Sequence, residues 1–309
     1  MRKTITVIAV LIVLVLIGVG VVQYVNTSKD EDFIGMPGEP TGTQAPEDPT
    51  QPEWCPAVEF LSAPGTWESA ANDDPINPTA NPASFMLTIT QPLQERYSPD
   101  DVKVWTLPYT AQFRNINSQN EMTYDESRTE GLSKMTGELV SMHNECPATE
   151  FIIVGFSQGA VIAGDLAAQI GSGQGAIPAD SIRGVALVAD GRREPGVGQY
   201  PGTFVDGVGA EVALQPLNLL VQPIVPGATM RGPRVGGFGE LNDRVQDICA
   251  PNDSICDAPV NVGNALDRAL DMVAANGVHA QYATNPNVFP GTTTNAWIVN
   301  WATNLIDNG

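Results

Sequence analysis

Histidine is almost missing from this 309-residue chain, which has two, His143 and His279. A metal centre built on imidazoles has little to draw on, and a serine or cysteine nucleophile has only these two from which to take a base. Basic residues are also scarce, 15 against 35 Asp and Glu, for a net charge of −20. That balance excludes gripping a phosphate backbone and repels anionic lipid, so a lipid partner has to be captured by apolar contact. Charged residues make up only 16% of the chain, whereas Gly and Pro number 30 and 25 and hydrophobic residues reach 42%. This excludes a coiled coil or a disordered chain and predicts a globular one with many ordered loops. No metal-ligand or nucleotide-binding motif occurs, so neither a metal nor a cofactor is expected.

One long hydrophobic run exists. Ile5 to Val25 is broken only by Thr6, two glycines, Gln23 and Tyr24, about the length a helix needs to cross a hydrocarbon core. The residues after Gly20 offer no small-residue cleavage site, so the run reads as an uncleaved signal anchor. Arg2 and Lys3 precede it and Lys29, Asp30, Glu31 and Asp32 follow, which puts the amino terminus in the cytoplasm and the rest outside a single-pass cell-membrane protein. Residues 27–53 are rich in Pro, Gly, Thr and acids, a composition that cannot repay the entropy of folding. The expected division is therefore a cytoplasmic stub and membrane anchor over 1–26, an acidic Pro-rich linker over 27–53 and one folded domain over 54–309.

All four cysteines, Cys55, Cys146, Cys249 and Cys256, lie on the exported side, where an even number favours disulfides. Of the three possible pairings, the short interval from Cys249 to Cys256 favours local closure, leaving Cys55 for Cys146.

Apolar runs of strand length recur at 57–61, 102–107, 151–155 and 184–189, separated by loops or helical segments. The pattern predicts an α/β fold with a parallel sheet covered on both faces. Helical periodicity is clearest at 127–144, 158–170, 264–276 and 294–306. Residues 191–242, heavy in Gly, Pro, Val and Leu, fit neither a helix nor a strand. They read equally as a cover for a site or as a long surface connection.

The strongest local motif is the apolar strand Phe151–Val154 running into Gly155-Phe156-Ser157-Gln158-Gly159 and then into a helical pattern. This G-x-S-x-G arrangement predicts a nucleophile elbow, in which a sharp strand-to-helix turn presents the Ser157 hydroxyl and aims helix-terminal N–H groups at developing negative charge. His279, late in the chain, is the expected base, whereas His143 lies in the helical segment ahead of the Ser157 strand, where an exposed or capping role is the plainer one. The orienting acid remains open among Asp253, inside the Cys249–Cys256 loop, Asp190 at the end of a predicted strand, and Asp243, Asp247 and Asp257.

Cys55-Pro56, Ala63-Pro64-Gly65-Thr66-Trp67-Glu68-Ser69, Cys146, the Ser157 motif, Cys249 to Cys256 with Asp253, and His279 occur in the order and rough spacing of the cutinase family. More narrowly, the chain resembles the membrane-anchored cutinase-like proteins of mycolic-acid-containing actinobacteria. The resemblance covers residues 54–309 and implies an α/β-hydrolase three-layer sandwich with a central, mainly parallel sheet. It further implies a Ser157–Asp253–His279 triad, an oxyanion hole made by the Gln158 N–H and by Thr66, and the two disulfides Cys55–Cys146 and Cys249–Cys256. The chain departs from that pattern at Pro64, where secreted cutinases usually carry a basic residue, and in the long 191–242 connection. The expected function is a serine ester hydrolase of lipid acyl esters, of carboxylesterase, phospholipase or thioesterase type. Two alternatives are an envelope acyltransferase using the same triad and a non-catalytic envelope-binding protein using Trp67, Trp105 and Trp297. Those tryptophans have core or rim packing as their plainer role.

Overall fold

The computed structural model describes residues 51–259 and 277–309. The expected anchor, most of the linker and the helix expected at 264–276 lie outside the described residues. Among the described residues, no helix is long and apolar enough to cross a membrane.

Five strands form one all-parallel sheet: β1 (Val58–Ala63), β2 (Val102–Thr106), β3 (Glu150–Phe156), β4 (Ile182–Val188) and β5 (Val245–Ile248), in the spatial order β2-β1-β3-β4-β5. The helices are α1 (Leu87–Arg96), α2 (Tyr124–Glu145), α3 (Gln158–Gly171), the short α4 (Ala210–Leu214) and α5 (Asn218–Val221), and α6 (Thr294–Asn308). Successive side chains of a strand point to opposite faces, and each face here is apolar. Leu61, Phe151, Ile153, Val185 and Leu187 join Met135, Leu139, Ile162 and Leu166 of α2 and α3 in one core. On the other face Val58, Phe60, Val104, Ile152, Val154 and Val188 pack against Ile89 and Leu93 of α1 and Ile298 and Ala302 of α6. The result is a three-layer α/β sandwich with the sheet in the middle.

The four predicted strand runs coincide with β1 to β4, but β5 and α1 carried no clear sequence signal. Strand β5 is four residues long and includes Gln246 and a buried Asp247 whose carboxylate pairs with Arg193 at 2.7 Å. Helix α1 contains Pro92, a helix breaker by propensity, and is held by its buried face of Leu87, Ile89, Thr90 and Leu93. Helix α2 begins three residues earlier than its apolar periodicity shows, at a capping box formed by Thr123 and Glu126.

The strand order reverses between β1 and β3, so the loops leaving their carboxyl ends diverge and open a crevice, the usual ligand position in open parallel sheets. Ser157 follows β3 and Thr66 follows β1, so both expected functional loops open onto that crevice.

Candidate active site

The turn at Ser157 is strained and tightly packed. Ser157 has φ 55° and ψ −119°, a backbone region that costs a side-chain-bearing residue energy. The flanking glycines make it possible: a Cβ on Gly159 would come 2.0 Å from the Ala63 carbonyl oxygen, and one on Gly155 would come 2.4 Å from that of Gly159. Only glycine lets α3 start this close to the ends of β1 and β3.

His279 meets the serine from the opposite side of the crevice. Its Nε2 lies 2.9 Å from Ser157 Oγ and its Nδ1 lies 2.9 Å and 3.1 Å from the two Asp253 oxygens. The ring stacks on Phe156, with centroids 5.1 Å apart, and this contact limits its rotation. Asp253 is fully buried. Its carboxylate also accepts the Ile255 N–H at 3.0 Å and the Tyr282 hydroxyl at 2.7 Å. The same Tyr282 oxygen accepts the Ala250 N–H at 2.9 Å. The Cys249–Cys256 disulfide closes the loop around the acid, and the Cys55–Cys146 disulfide joins the residue three before β1 to the end of α2. Burial, the first cause, and the neighbouring Asp253 carboxylate push the Tyr282 phenol well above its ordinary range, so it stays a donor.

The other four acids are occupied elsewhere. Asp190 pairs with Arg234 and Asp247 with Arg193. Asp257 accepts the Gly207 and Asn252 amides, and Asp243 is exposed and accepts from Gln199. His143 sits near the end of α2 with its ring against Phe151, away from Ser157. Trp105 is core and Trp297 stacks between Phe289 and Trp301. Only Trp67 of the three tryptophans reaches the pocket, half exposed and donating to Glu121 at 3.0 Å.

On the far side of Ser157, Gln158 is the first residue of α3 and its amide therefore has no carbonyl one turn back to bind. Its side chain is buried between the Thr66 loop and α2: Oε1 accepts the Thr66 hydroxyl at 3.0 Å and Nε2 donates to Ser127 Oγ at 2.8 Å. The 64–69 loop is pinned at several further points. The Tyr109 hydroxyl donates to the Pro64 carbonyl at 2.8 Å, the Trp67 amide donates to the Ala111 carbonyl, and Ser69 Oγ donates to the Leu107 carbonyl at 2.8 Å. Thr66 and Gln158, expected from sequence, are in contact, whereas Tyr109, Ser127 and Tyr282 were missed. The first two lie far from any motif. Tyr282 carried a weak signal, being one helical turn after His279 and so able to share its face.

Ser157 and His279 open into a cavity of about 380 Å³, within the range of small-molecule sites. Its walls are mostly apolar: Phe85, Phe113, Phe156, Val161, Met230 and Ile255. Gly191, Ala210 and Met230 come from the 191–242 connection, which is therefore a wall of the cavity. That connection is tied to α3 by charge. Asp165 on α3 pairs with Arg192 at 2.8 Å, with Arg234 at 3.0 Å and with Arg231, and Arg231 continues to Glu211 at 2.8 Å. Burial pushes the Asp165 carboxyl up, but the guanidiniums of Arg234, Arg231 and Arg192 outweigh it and hold the group at about 2. No group of His, Cys, Asp and Glu able to hold a metal occurs among the described residues.

The model of the cutinase family matches residues 54–285. A Corynebacterium glutamicum protein named carboxylesterase Culp6 homolog is 85% identical over 309 residues, with all of both chains covered. Among solved structures, an acetyl xylan esterase is 15% identical, covering 82% of this chain and 99% of its own at a TM-score of 0.48. A cutinase-like protein from Cryptococcus sp. is 18% identical, covering 83% and 98% at a TM-score of 0.45. The fold assignment rests on the family match and the strand order rather than on these two likenesses.

Proposed function

The chain belongs to the cutinase family, and from that premise we propose that this ester-hydrolysing enzyme cleaves acyl esters of lipids through a Ser157–His279–Asp253 triad. One observation carries the reading: a single imidazole bridges a strained serine and a buried carboxylate at 2.9 Å on each side, at the mouth of an apolar cavity.

In this mechanism His279 Nε2 takes the Ser157 proton as Oγ attacks the ester carbonyl carbon. Asp253 holds the Nδ1–H and stabilises the imidazolium that forms. Negative charge moves to the carbonyl oxygen and is received by the Gln158 N–H and by Thr66. Collapse of the tetrahedral intermediate breaks the ester C–O bond, and His279 returns its proton to the departing alcohol. Water, deprotonated by the same histidine, then releases the acid and regenerates Ser157. The apolar walls favour acyl chains, and the acidic chain leaves that apolar contact as the means of holding a lipid.

The localisation is part of the same proposal. Residues 1–26 anchor the enzyme in the cell membrane and residues 27–53 tether the 54–309 domain on the outer side, a reading supported by the length of the Ile5–Val25 run and its flanking charges. Protease added to intact cells should digest the domain; its full protection would sink this topology.

The test of the reaction is hydrolysis of a chain-length series of p-nitrophenyl esters and of a phospholipid by the detergent-solubilised full chain, beside Ser157→Ala. Turnover that falls by several orders of magnitude in the variant is expected. A folded wild type that releases no acid from any ester, but makes a new ester when a sugar or glycerol acceptor is added, would replace hydrolysis with acyl transfer.

A further inference from the structure

Glu68 is an acid in the wall of a mostly apolar cavity, half-buried and outside the proposed triad. Its carboxylate is not idle. Oε2 accepts the Gly65 N–H at 3.0 Å and Oε1 accepts the Phe85 N–H at 2.7 Å. Gly65 immediately precedes Thr66, and Phe85 lines the cavity two residues ahead of α1. The Glu68 amide in turn donates to the Gly65 carbonyl at 3.1 Å. One side chain therefore closes the turn that presents Thr66 and fastens that turn to the opposite wall.

The position of Gly65 leaves little slack. A Cβ there would come 2.9 Å from the Phe156 ring and 3.3 Å from Ser157 Cβ, so the backbone that Glu68 holds is itself packed on the nucleophile. A shift of this turn moves Thr66 relative to the Gln158 amide. Donors for a developing oxyanion are useful only when aimed at where its charge will be, and small displacements cost much of the effect.

Glu68 also lines the same cavity as His279. Burial raises the Glu68 carboxyl above its ordinary value, opposed by the Phe85 and Gly65 amides, the Ser84 hydroxyl and His279. The other titratable groups nearby are Tyr109, Tyr124 and Tyr282, all with phenols raised well above the ordinary range by burial, with Asp253 beyond His279 and Glu121 beyond Trp67.

We propose that Glu68 is a positioning residue for acyl transfer to and from Ser157: it fixes the Thr66 turn against the cavity wall, and with it the aim of Thr66 at the developing oxyanion. The proposal rests on the triad reading above. As the reaction passes through an oxyanion, this aim stabilises the transition state more than the bound ester, so kcat should respond and KM should not.

Glu68→Gln keeps the size but removes the charge and one of two acceptors; Glu68→Asp keeps the charge but shortens the reach. Both are compared with wild type as the full chain in detergent, with competent sites counted by stoichiometric labelling with a p-nitrophenyl phosphonate. For E68Q we expect kcat per labelled site to fall by about tenfold to a hundredfold with KM within about twofold. E68D, with its shorter reach to the Gly65 and Phe85 amides, should also lose kcat. Wild-type kcat per labelled site in E68Q, whether or not fewer sites label or the melting temperature drops, overturns the proposal and leaves Glu68 a purely structural group. A wild type that is itself inactive on esters overturns the hydrolase reading and this one with it, so the two failures are distinct.

Discussion

The loop that carries Asp253 is closed by the Cys249–Cys256 disulfide and braced by Tyr282, whereas the 64–69 loop on the other side of Ser157 is held by hydrogen bonds alone, from Glu68, Tyr109, Thr66 and Ser69. The difference follows from what each loop has to hold. Asp253 is a carboxyl group held in a fully buried position, where one without strong partners would swing toward water. A covalent closure reduces the alternatives open to it. In the proposed mechanism the Thr66 side meets charge only transiently, and its donors need aim more than restraint.

Asp253→Asn strikes this contrast hardest. It keeps the shape but favours the wrong imidazole tautomer, and kcat should fall by about 10³- to 10⁴-fold. A loss under tenfold would mean that another group orients His279, and the asymmetry between the loops would have no catalytic meaning. Replacing Cys249 and Cys256 together by Ser leaves every triad atom present but opens the closure. Chain-entropy arguments for a loop this short give a stability loss of about 2.5 kcal/mol, and a loosened acid should lower kcat by about tenfold. Urea unfolding and kcat measured on the same variant separate the two, and a kcat equal to wild type would show that Tyr282 and the turn suffice.

The smallest kinetic effect should come from Asp165→Asn, which touches neither loop. The native carboxyl lies at about 2 against an ordinary 3.8. Because the folded value is depressed, its stabilisation is present above pH 3.8 and lost as pH falls through about 2. The variant should be less stable at pH 7 by about 2 kcal/mol, lose less stability on acidification, and keep kcat within about twofold. Thermal melts across pH 2 to 7 check the first two outcomes. A large fall in kcat would show that the 191–242 wall and the catalytic loops are coupled.

Much of the fold was legible because both faces of its sheet are buried: β1 to β4 read as continuous apolar runs, and α2, α3 and α6 keep helical spacing. What escaped had its stability in tertiary contacts. Strand β5 spends one of its four positions on Asp247, neutralised only by the distant Arg193, and α4 and α5 are too short to show a period. In the candidate site, Ser157 and His279 stood out through a local motif and through scarcity. Asp253 did not stand out from Asp190 by pattern alone; pairing with Arg234, 44 residues away, is what separates Asp190 from the histidine. The supports were least visible, because the carboxylate of Glu68 and the hydroxyls of Tyr109 and Tyr282 act on backbone or side-chain atoms whose positions only the folded chain defines.

The charge cluster around Asp165 has a consequence for how such an enzyme can diversify. It fastens the cavity wall formed by Gly191, Ala210 and Met230 to the middle of α3, and it shares no residue with the acid loop or with the turn that presents Thr66. The wall is thus bolted to the frame rather than to the machinery. Its lining can be exchanged, widening or narrowing the chamber for a different acyl group, while the reacting atoms keep their places.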